Sequence, residues 1–411
     1  MKRREFIASV AAGAVGAAAA ATGPALAQAA EVKVALITPL SGAWARSGDL
    51  ARKGAELAID DINAAGGIKA LGGAKMRVIV ADTGESPEKA KSAAQRLLSQ
   101  EPDLAGGAGS EISSFTLAVT EVTERAELPW LTLAYSDLLT NRGFKYMFQT
   151  SPTADQQAAA AMQTILDLAQ AATGTKPKKL AIVMDNTPSP ASFSKEMRGP
   201  ALEKYGLALV ADQIYTPPLS DAAPIAQRIR AARPDLLLFL PTATPDIKLI
   251  MEKLSEVGLG GRRLPVISNG APIGSPDLLK LAGKEIMEGT MFIIANWGAK
   301  GLEDLTKRFK AKPGEPWITQ DSISNYGHMW VLKEAVEMAG SADRRKVNAA
   351  LHSMDLTTGP GAGTFPGGRV RFDENGRRVG APLVIVQWQN GEPVTVYPPG
   401  AAFSKPVWPK Q

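Results

Sequence analysis

From residue 32 onward the chain alternates between two hydrophobic periods, and few architectures accept that alternation. Val32-Lys-Val-Ala-Leu-Ile-Thr38 is a short apolar run of the kind that forms a largely buried strand. Leu50, Ala51, Gly54, Leu57, Ala58 and Ile62 then recur at helical spacing, which predicts a helix over roughly 49–64, closed by Gly66-Gly67. A strand over Met76–Asp82, a helix over Pro87–Gln100, a strand near 104–108, a helix from Ser114 to Ala126 and a strand over Trp130–Ala134 follow. Strands separated by helices are joined by crossovers, so this βαβα series predicts a parallel sheet covered by helices on both faces.

A second series begins after Thr150-Ser151-Pro152-Thr153. Helices are predicted near 155–172, 193–205, 221–232 and 246–257, with strands over Leu180–Met184, 207–215, Leu236–Leu240 and Leu264–Ser268. A chain of 411 residues has room for two such lobes at about 150 residues per domain. The tail departs from the pattern. Residues 303–311, 322–339 and 343–352 are predicted helical, Gly359–Gly368 is rich in glycine, and Leu383–Trp388 with Val394–Tyr397 has the form of an antiparallel hairpin. A lone hairpin is only marginally stable and must add to an existing lobe. The chain therefore passes between lobes more than once, and the fold class is α/β: two doubly wound parallel-sheet lobes joined by a multi-strand hinge.

The N-terminus has the form of an address. Lys2-Arg3-Arg4 precedes Phe6-Ile7, an Ala/Gly-rich apolar stretch to Ala21, and Ala25-Leu26-Ala27 with small residues two apart. Such a segment is too short and too weakly apolar to span about 30 Å of hydrocarbon, so residues 1–27 are expected to be a cleaved signal peptide of the twin-arginine type, and the protein is expected in the periplasm.

Composition excludes several kinds of chemistry. With no Cys there is no disulfide, thiol nucleophile or cysteine metal site, and with only His328 and His352 a metal centre is not expected. The formal charge is +5, of which residues 1–27 supply a net +2; the other basic residues are dispersed, against the dense stripe that nucleic acid requires. There is no phosphate-loop motif and no Gly-x-Ser-x-Gly elbow. Gly107-Ala-Gly109 lacks the third glycine of a dinucleotide fingerprint, since Ile112 stands there. Neither an enzyme nor a cofactor is expected. Asp60-Asp61 point different ways from one helix and are expected to be solvated surface.

What remains is a set of strand-end loops, which a parallel sheet gathers at one edge. They are Thr38-Pro-Leu-Ser-Gly-Ala-Trp-Ala-Arg-Ser-Gly48, Gly106-Gly-Ala-Gly-Ser-Glu-Ile-Ser113 and Thr132-Leu-Ala-Tyr-Ser136, which brings in Tyr135. Ser113, at a helix start, is either an ordinary N-cap or a hydroxyl beside free amides that suit a carboxylate. Trp44 is either an exposed aromatic or a flat cleft wall, and Arg46 either pairs with a ligand carboxylate or is solvated.

Ala58-Ile-Asp-Asp-Ile-Asn-Ala-Ala-Gly-Gly-Ile68, with Leu40-Ser41-Gly42 and Gly48 before it, resembles the leucine/isoleucine/valine-binding protein family, the solute receptors of hydrophobic amino-acid ABC importers. Leu139-Thr140, Gly143-Phe144 and Tyr146-Met147-Phe148, followed by Thr150-Ser151-Pro152, are similar to that family's crossover into its second lobe. The resemblance implies a periplasmic-binding-protein-like fold of type I with crossings near Thr150, Ile294 and Phe372. Lobe 1 would then be 28–150 plus 295–371, and lobe 2 would be 151–294 plus 372–411. It also implies a monomer that closes on a small solute and docks on an ABC permease in the inner membrane. A periplasmic sensor subunit would use the same hinge.

Position by position, the resemblance places Ser113 and Ser136 on a ligand carboxylate, the Ala134 carbonyl on an ammonium, and Ser47 at an aromatic wall position whose surface Trp44 takes over. In the second lobe the family's tyrosine after Leu236–Leu240 falls on Ala243, beside Thr242 and Thr244. Its acidic residue falls near Asn269-Gly270, and the tyrosine of the Asp185-Asn186 loop on Ser189 or Phe193. A buried ammonium without a countercharge is costly. The departures therefore leave open an aromatic or short aliphatic acid, or an amide, beside the branched-chain or other hydrophobic amino acid that the family implies.

Overall fold

The computed structural model describes residues 31–408 apart from 196, 261 and 262; the expected signal peptide lies outside them. Fourteen strands are present among the described residues. In the first lobe these are β1 (Val32–Thr38), β2 (Met76–Asp82), β3 (Gly106–Gly109), β4 (Trp130–Thr132) and β5 (Met147–Gln149), wholly parallel in the order β2-β1-β3-β4-β5. The second lobe holds β6 (Lys179–Asp185), β7 (Ala208–Tyr215), β8 (Leu236–Leu240), β9 (Val266–Asn269) and β10 (Met291–Ile294). Later in the chain come β11 (Asp355–Leu356) and β12 (Val370–Arg371), which pair with each other, then β13 (Val384–Gln389) and β14 (Glu392–Tyr397). The second sheet runs β14-β13-β10-β9-β8-β6-β7, with its two C-terminal strands antiparallel at one edge. The hairpin thus adds to an existing sheet, as a marginal two-stranded unit must.

Each sheet is covered on both faces. In the first lobe one face packs Val34, Leu36 and Phe148 against Ile62, Tyr326 and Leu332, and the other packs Ile37 and Trp130 against Ala94, Phe115 and Val119. In the second, Val183, Phe239 and Trp388 lie in one cluster and Ile182, Leu238 and Ile165 in the other. The Gln320–Ala339 helix is buried on every side from Gln320 to Leu332, an all-round burial that suits a helix of the protein interior. It runs against the Ala45–Ala64 helix, where the Ser322 hydroxyl donates to the Leu50 carbonyl at 3.0 Å. A Cβ at Gly54 would lie 1.9 Å from the Ser322 carbonyl oxygen, so only glycine allows the two helices to approach this closely.

Several expected elements change. The predicted 193–205 helix is two, Pro188–Lys195 and Pro200–Tyr205, because Gly199 takes φ +62° and Pro200 starts a new turn. Met147–Gln149 forms an edge strand of the first sheet instead of a crossover, and Met291–Ile294 a strand that the sequence reading omitted. The chain passes from the first sheet to the second after Gln149, leaves the second after Ile294, and returns to it beyond Phe372. Phe372 packs on Phe148 at 5.0 Å in the first lobe, and Arg378 still donates its amide to the Gln149 carbonyl, so the chain leaves between 378 and 384.

At this seam the Arg378 guanidinium is nearly fully buried and bonds only main-chain carbonyls, those of Thr150 (2.7 Å), Pro366 (3.0 Å) and Arg369 (3.1 Å); burial draws its pKa down to about 10. His328 bonds the Thr150 hydroxyl at 2.8 Å, and burial holds it neutral, with a pKa near 3. It is a core histidine. Gly54→Ala is expected to lower stability by about 1–3 kcal/mol through overpacking, read as a drop in melting temperature; an unchanged melt would mean the helix pair has slack.

Candidate binding cleft

The carboxyl ends of both sheets face one cavity of about 50 Å³ between the lobes. From the first lobe it is lined by Ser47 after β1, Glu111 to Ser113 after β3, and Leu133 and Tyr135 after β4. From the second come Thr187, Ser189 and Pro190 after β6, Leu240 to Thr242 at the end of β8, and Asn269 to Pro272 at the end of β9. Gln320 and Asp321 close it at the start of the central helix. The strand order reverses between β1 and β3 in one sheet and between β6 and β8 in the other. The cavity therefore lies at two switch points at once, where open α/β sheets bind ligands.

The sequence-derived residues divide between this cavity and its surroundings. Ser47, Ser113, Tyr135, Thr242 and Asn269 line it. Ser113 begins the Ser113–Arg125 helix instead of capping it, and its hydroxyl accepts from the Ser136 amide at 3.2 Å. The Tyr135 hydroxyl donates to Gln320 Oε1 at 2.5 Å and accepts from the Ala295 amide at 3.3 Å; burial pushes its pKa up, so it stays a neutral donor. Thr242 gives both its amide and its hydroxyl to Asp185 at 2.7 Å. Asn269 donates to Gln157 Oε1 (2.9 Å) and to the Ile293 carbonyl (3.0 Å).

Other expected residues have different work. The Ala134 carbonyl already accepts from Gln149 Nε2 (2.7 Å) and the Ser151 hydroxyl (3.1 Å), and it does not line the cavity. Ser136 is fully buried, with its hydroxyl accepting from the Leu138 amide at 3.3 Å. Asn186 is exposed and donates to Thr216. Phe193 is fully buried in the second lobe's core, so of the two alternatives at that position it is Ser189 that reaches the cavity. Trp44 is a wall of the first lobe, edge-on to Phe115 at 5.4 Å, and its indole nitrogen reaches the Thr242 hydroxyl of the other lobe at 3.4 Å. Arg46 is half-buried and already paired. It is bidentate to Glu315 (2.9 and 2.6 Å), touches Asp49, and crosses to Asp277 of the second lobe at 3.2 Å. Burial alone would lower its pKa, but those carboxylates raise it.

Among the lining residues absent from the sequence-derived set are the cavity's two acids, Glu111 and Asp321. Glu111 lies in a loop already singled out, but its neighbours drew the attention; Asp321 opens a helix whose burial on all sides has no amphipathic signature. Both carboxyls are buried. The Glu111 oxygens accept from the Thr38 hydroxyl (2.8 Å) and Asn325 Nδ2 (3.0 Å), yet desolvation dominates and pushes its pKa up to about 7. Asp321 rises well above the usual carboxylate range, first by desolvation and then by repulsion from Glu111, with the Ser47 hydroxyl opposing. Among the described residues no Lys, Arg or His lines the cavity.

The sequence model described as periplasmic binding protein matches residues 31–393. The chain belongs to that family. A Leu/Ile/Val-binding protein homolog 7 of Brucella melitensis is 28% identical over 385 residues, covering 92% of this chain and 94% of the relative. The fold is also that of a branched-chain amino acid transporter substrate-binding protein of Streptococcus pneumoniae, solved with isoleucine (TM-score 0.75, 20% identity, 89% of this chain and 99% of that one). It is likewise that of an ABC transporter solute-binding protein of R. palustris, solved with benzoate (TM-score 0.75, 16% identity, 93% and 99%). These relatives are binding proteins, not enzymes.

The raised Glu111 pKa fixes a pH dependence. Below about pH 4.5 the carboxyl is protonated in the folded and the unfolded chain alike. As pH rises through about 7, the unfolded chain gives up the proton more readily, and stability is lost. The ligand-free melting temperature is expected to fall between pH 5 and 8, with Glu111 contributing about 3 kcal/mol at the limit. Glu111→Gln should flatten that slope; melts with the same slope in both proteins would contradict the assignment.

Proposed function

We propose that the protein is the solute receptor of an ABC importer, capturing a small carboxylate-bearing solute by closure of its lobes and presenting the closed form to an inner-membrane permease. The observation that carries this reading is the shared cavity, lined by strand-end loops of both lobes and met at one side by the start of the Ser113–Arg125 helix. Helix-start amides and the Ser113 hydroxyl suit a carboxylate without requiring a cation, which the cavity lacks. A hydrophobic amino acid fits the family, the relative's name and the apolar contribution of Ile112, Leu133 and Leu240. In this reading closure is held by contacts that span the lobes outside the cavity, Arg46 with Asp277 and Trp44 with Thr242. The Lys2-Arg3-Arg4 segment supports export to the periplasm, and the receptor acts as a monomer.

Titration with leucine, isoleucine and valine should show a single site, with the radius of gyration falling on saturation; scattering curves that superimpose with and without a bound solute would refute closure. Ser113→Ala should weaken binding by about 1.5–3 kcal/mol if the hydroxyl donates to a carboxylate, and unchanged affinity would remove it from the site. Arg3→Lys with Arg4→Lys should leave precursor inside the cell, and normal export of that variant would exclude the twin-arginine route.

A further inference from the structure

Asp185 closes β6 with no exposed surface and does not line the cavity, yet its carboxylate is held by residues that do. Oδ1 accepts from the Thr187 amide at 3.0 Å and the Thr187 hydroxyl at 2.5 Å; Oδ2 accepts from the Thr242 amide and the Thr242 hydroxyl, both at 2.7 Å. Strands β6 and β8 are neighbours, with Met184 beside Leu240, so one acid at the end of β6 reaches the loops after both. Those loops also carry contacts to the first lobe. The Thr242 hydroxyl accepts from the Trp44 indole at 3.4 Å, and Ser192, on the helix that the Thr187 loop leads into, donates to Asp137 at 2.7 Å. Asp246, also buried, has no such reach: it accepts from the Leu219 amide at 3.0 Å, and neither of those two lines the cavity.

We infer that Asp185 is the positioning residue of the second lobe: from behind the cleft wall it fixes the loops after β6 and β8 in their receiving shape and orients the hydroxyl through which Thr242 meets Trp44. The inference rests on the receptor reading above and adds a residue on which cleft shape and closure both depend. A buried carboxylate is tolerated where donors fill its acceptor sites, and all four of these donors belong to the two cleft loops. A carboxylate has no proton to return, so the Thr242 hydroxyl gives its hydrogen to Asp185 and keeps its lone pairs for another donor. An indole N–H can only donate, and Trp44 finds those lone pairs. The chain therefore runs one way, from Trp44 in the first lobe through Thr242 to Asp185 in the second. Asparagine in this place would have one oxygen and one amide nitrogen. It could accept from Thr187 or from Thr242, but it would set a donor against the donors of the other loop.

Hydrogen exchange and leucine binding of the purified protein test this. In Asp185→Asn one of the segments 186–192 and 241–245 is expected to exchange roughly tenfold faster or more, and in Asp185→Ala both, with segments of the first lobe unchanged. Should Asp185→Ala fail to fold, Asp185→Asn carries the test. Leucine should leave Asp185→Asn roughly tenfold faster than it leaves the parent. The Trp44 indole N–H resonance of the leucine-loaded protein, assigned by its loss in Trp44→Phe, should move in Thr242→Val. It should move similarly in whichever Asp185 variant frees 241–245, a change that lost stability alone would not produce. Unchanged exchange of both segments in Asp185→Asn, or leucine release at the parent's rate while a segment is freed, would overturn the inference and leave the receptor reading standing. Isoleucine and valine replace leucine if it does not bind. Failure of all three would count against the receptor reading, and the exchange pattern would then decide the inference alone.

Discussion

A parallel strand delivers its carboxyl end to the same edge as its neighbours, and two such edges face each other here. That constraint decides what can line the gap. The loops after β1, β3 and β4 come from one side and those after β6, β8 and β9 from the other, while sheet interiors on both sides are filled with aliphatic and aromatic side chains. Rigid bodies supply the loops and the loops supply the chemistry, a division of labour common where function is carried on connecting segments. The long buried helix that begins at Gln320 adds a third source. It is packed too tightly against the first lobe, at Gly54 above all, to move independently of it, so Asp321 belongs to that lobe's half of the cleft.

The electrostatics of the gap follow from who has already paired. Positive charge at the cleft mouth is consumed by Glu315, Asp49 and Asp277, which leaves Arg46 as a strut between lobes. The acids within meet hydroxyls and amides but no cation, and burial raises the pKa of both Glu111 and Asp321, so protons take the place of partners.

The alternation of periods made the two lobes and most of their strands legible, since it is a property of single elements. The short strands Met147–Gln149 and Met291–Ile294 escaped because three or four residues carry too little periodicity, and they are recognisable only once neighbouring strands supply hydrogen bonds. At the cleft, Ser47, Ser113 and Tyr135 were legible from their positions after strands, and Thr242 and Asn269 only through the family resemblance. Arg46 was misread because its partners lie 231 and 269 residues away, at Asp277 and Glu315. Asp321 was invisible for the opposite reason: a helix buried on all sides gives no polar face against which a functional acid would stand out.

The buried guanidinium at residue 378 has a mechanical corollary. It has left water behind and found only carbonyls, one on the first pass between lobes and two on the segment that leads to the third. Bending the backbone at that junction would leave a positive charge without acceptors in a dry interior, which is costly. The two passes are therefore riveted together, and bending of the joint would fall to residues beyond the rivet, 380 to 383, and to the segment after Ile294. Where a molecule of this shape flexes is decided less by which residues are loose than by which one refuses to let go.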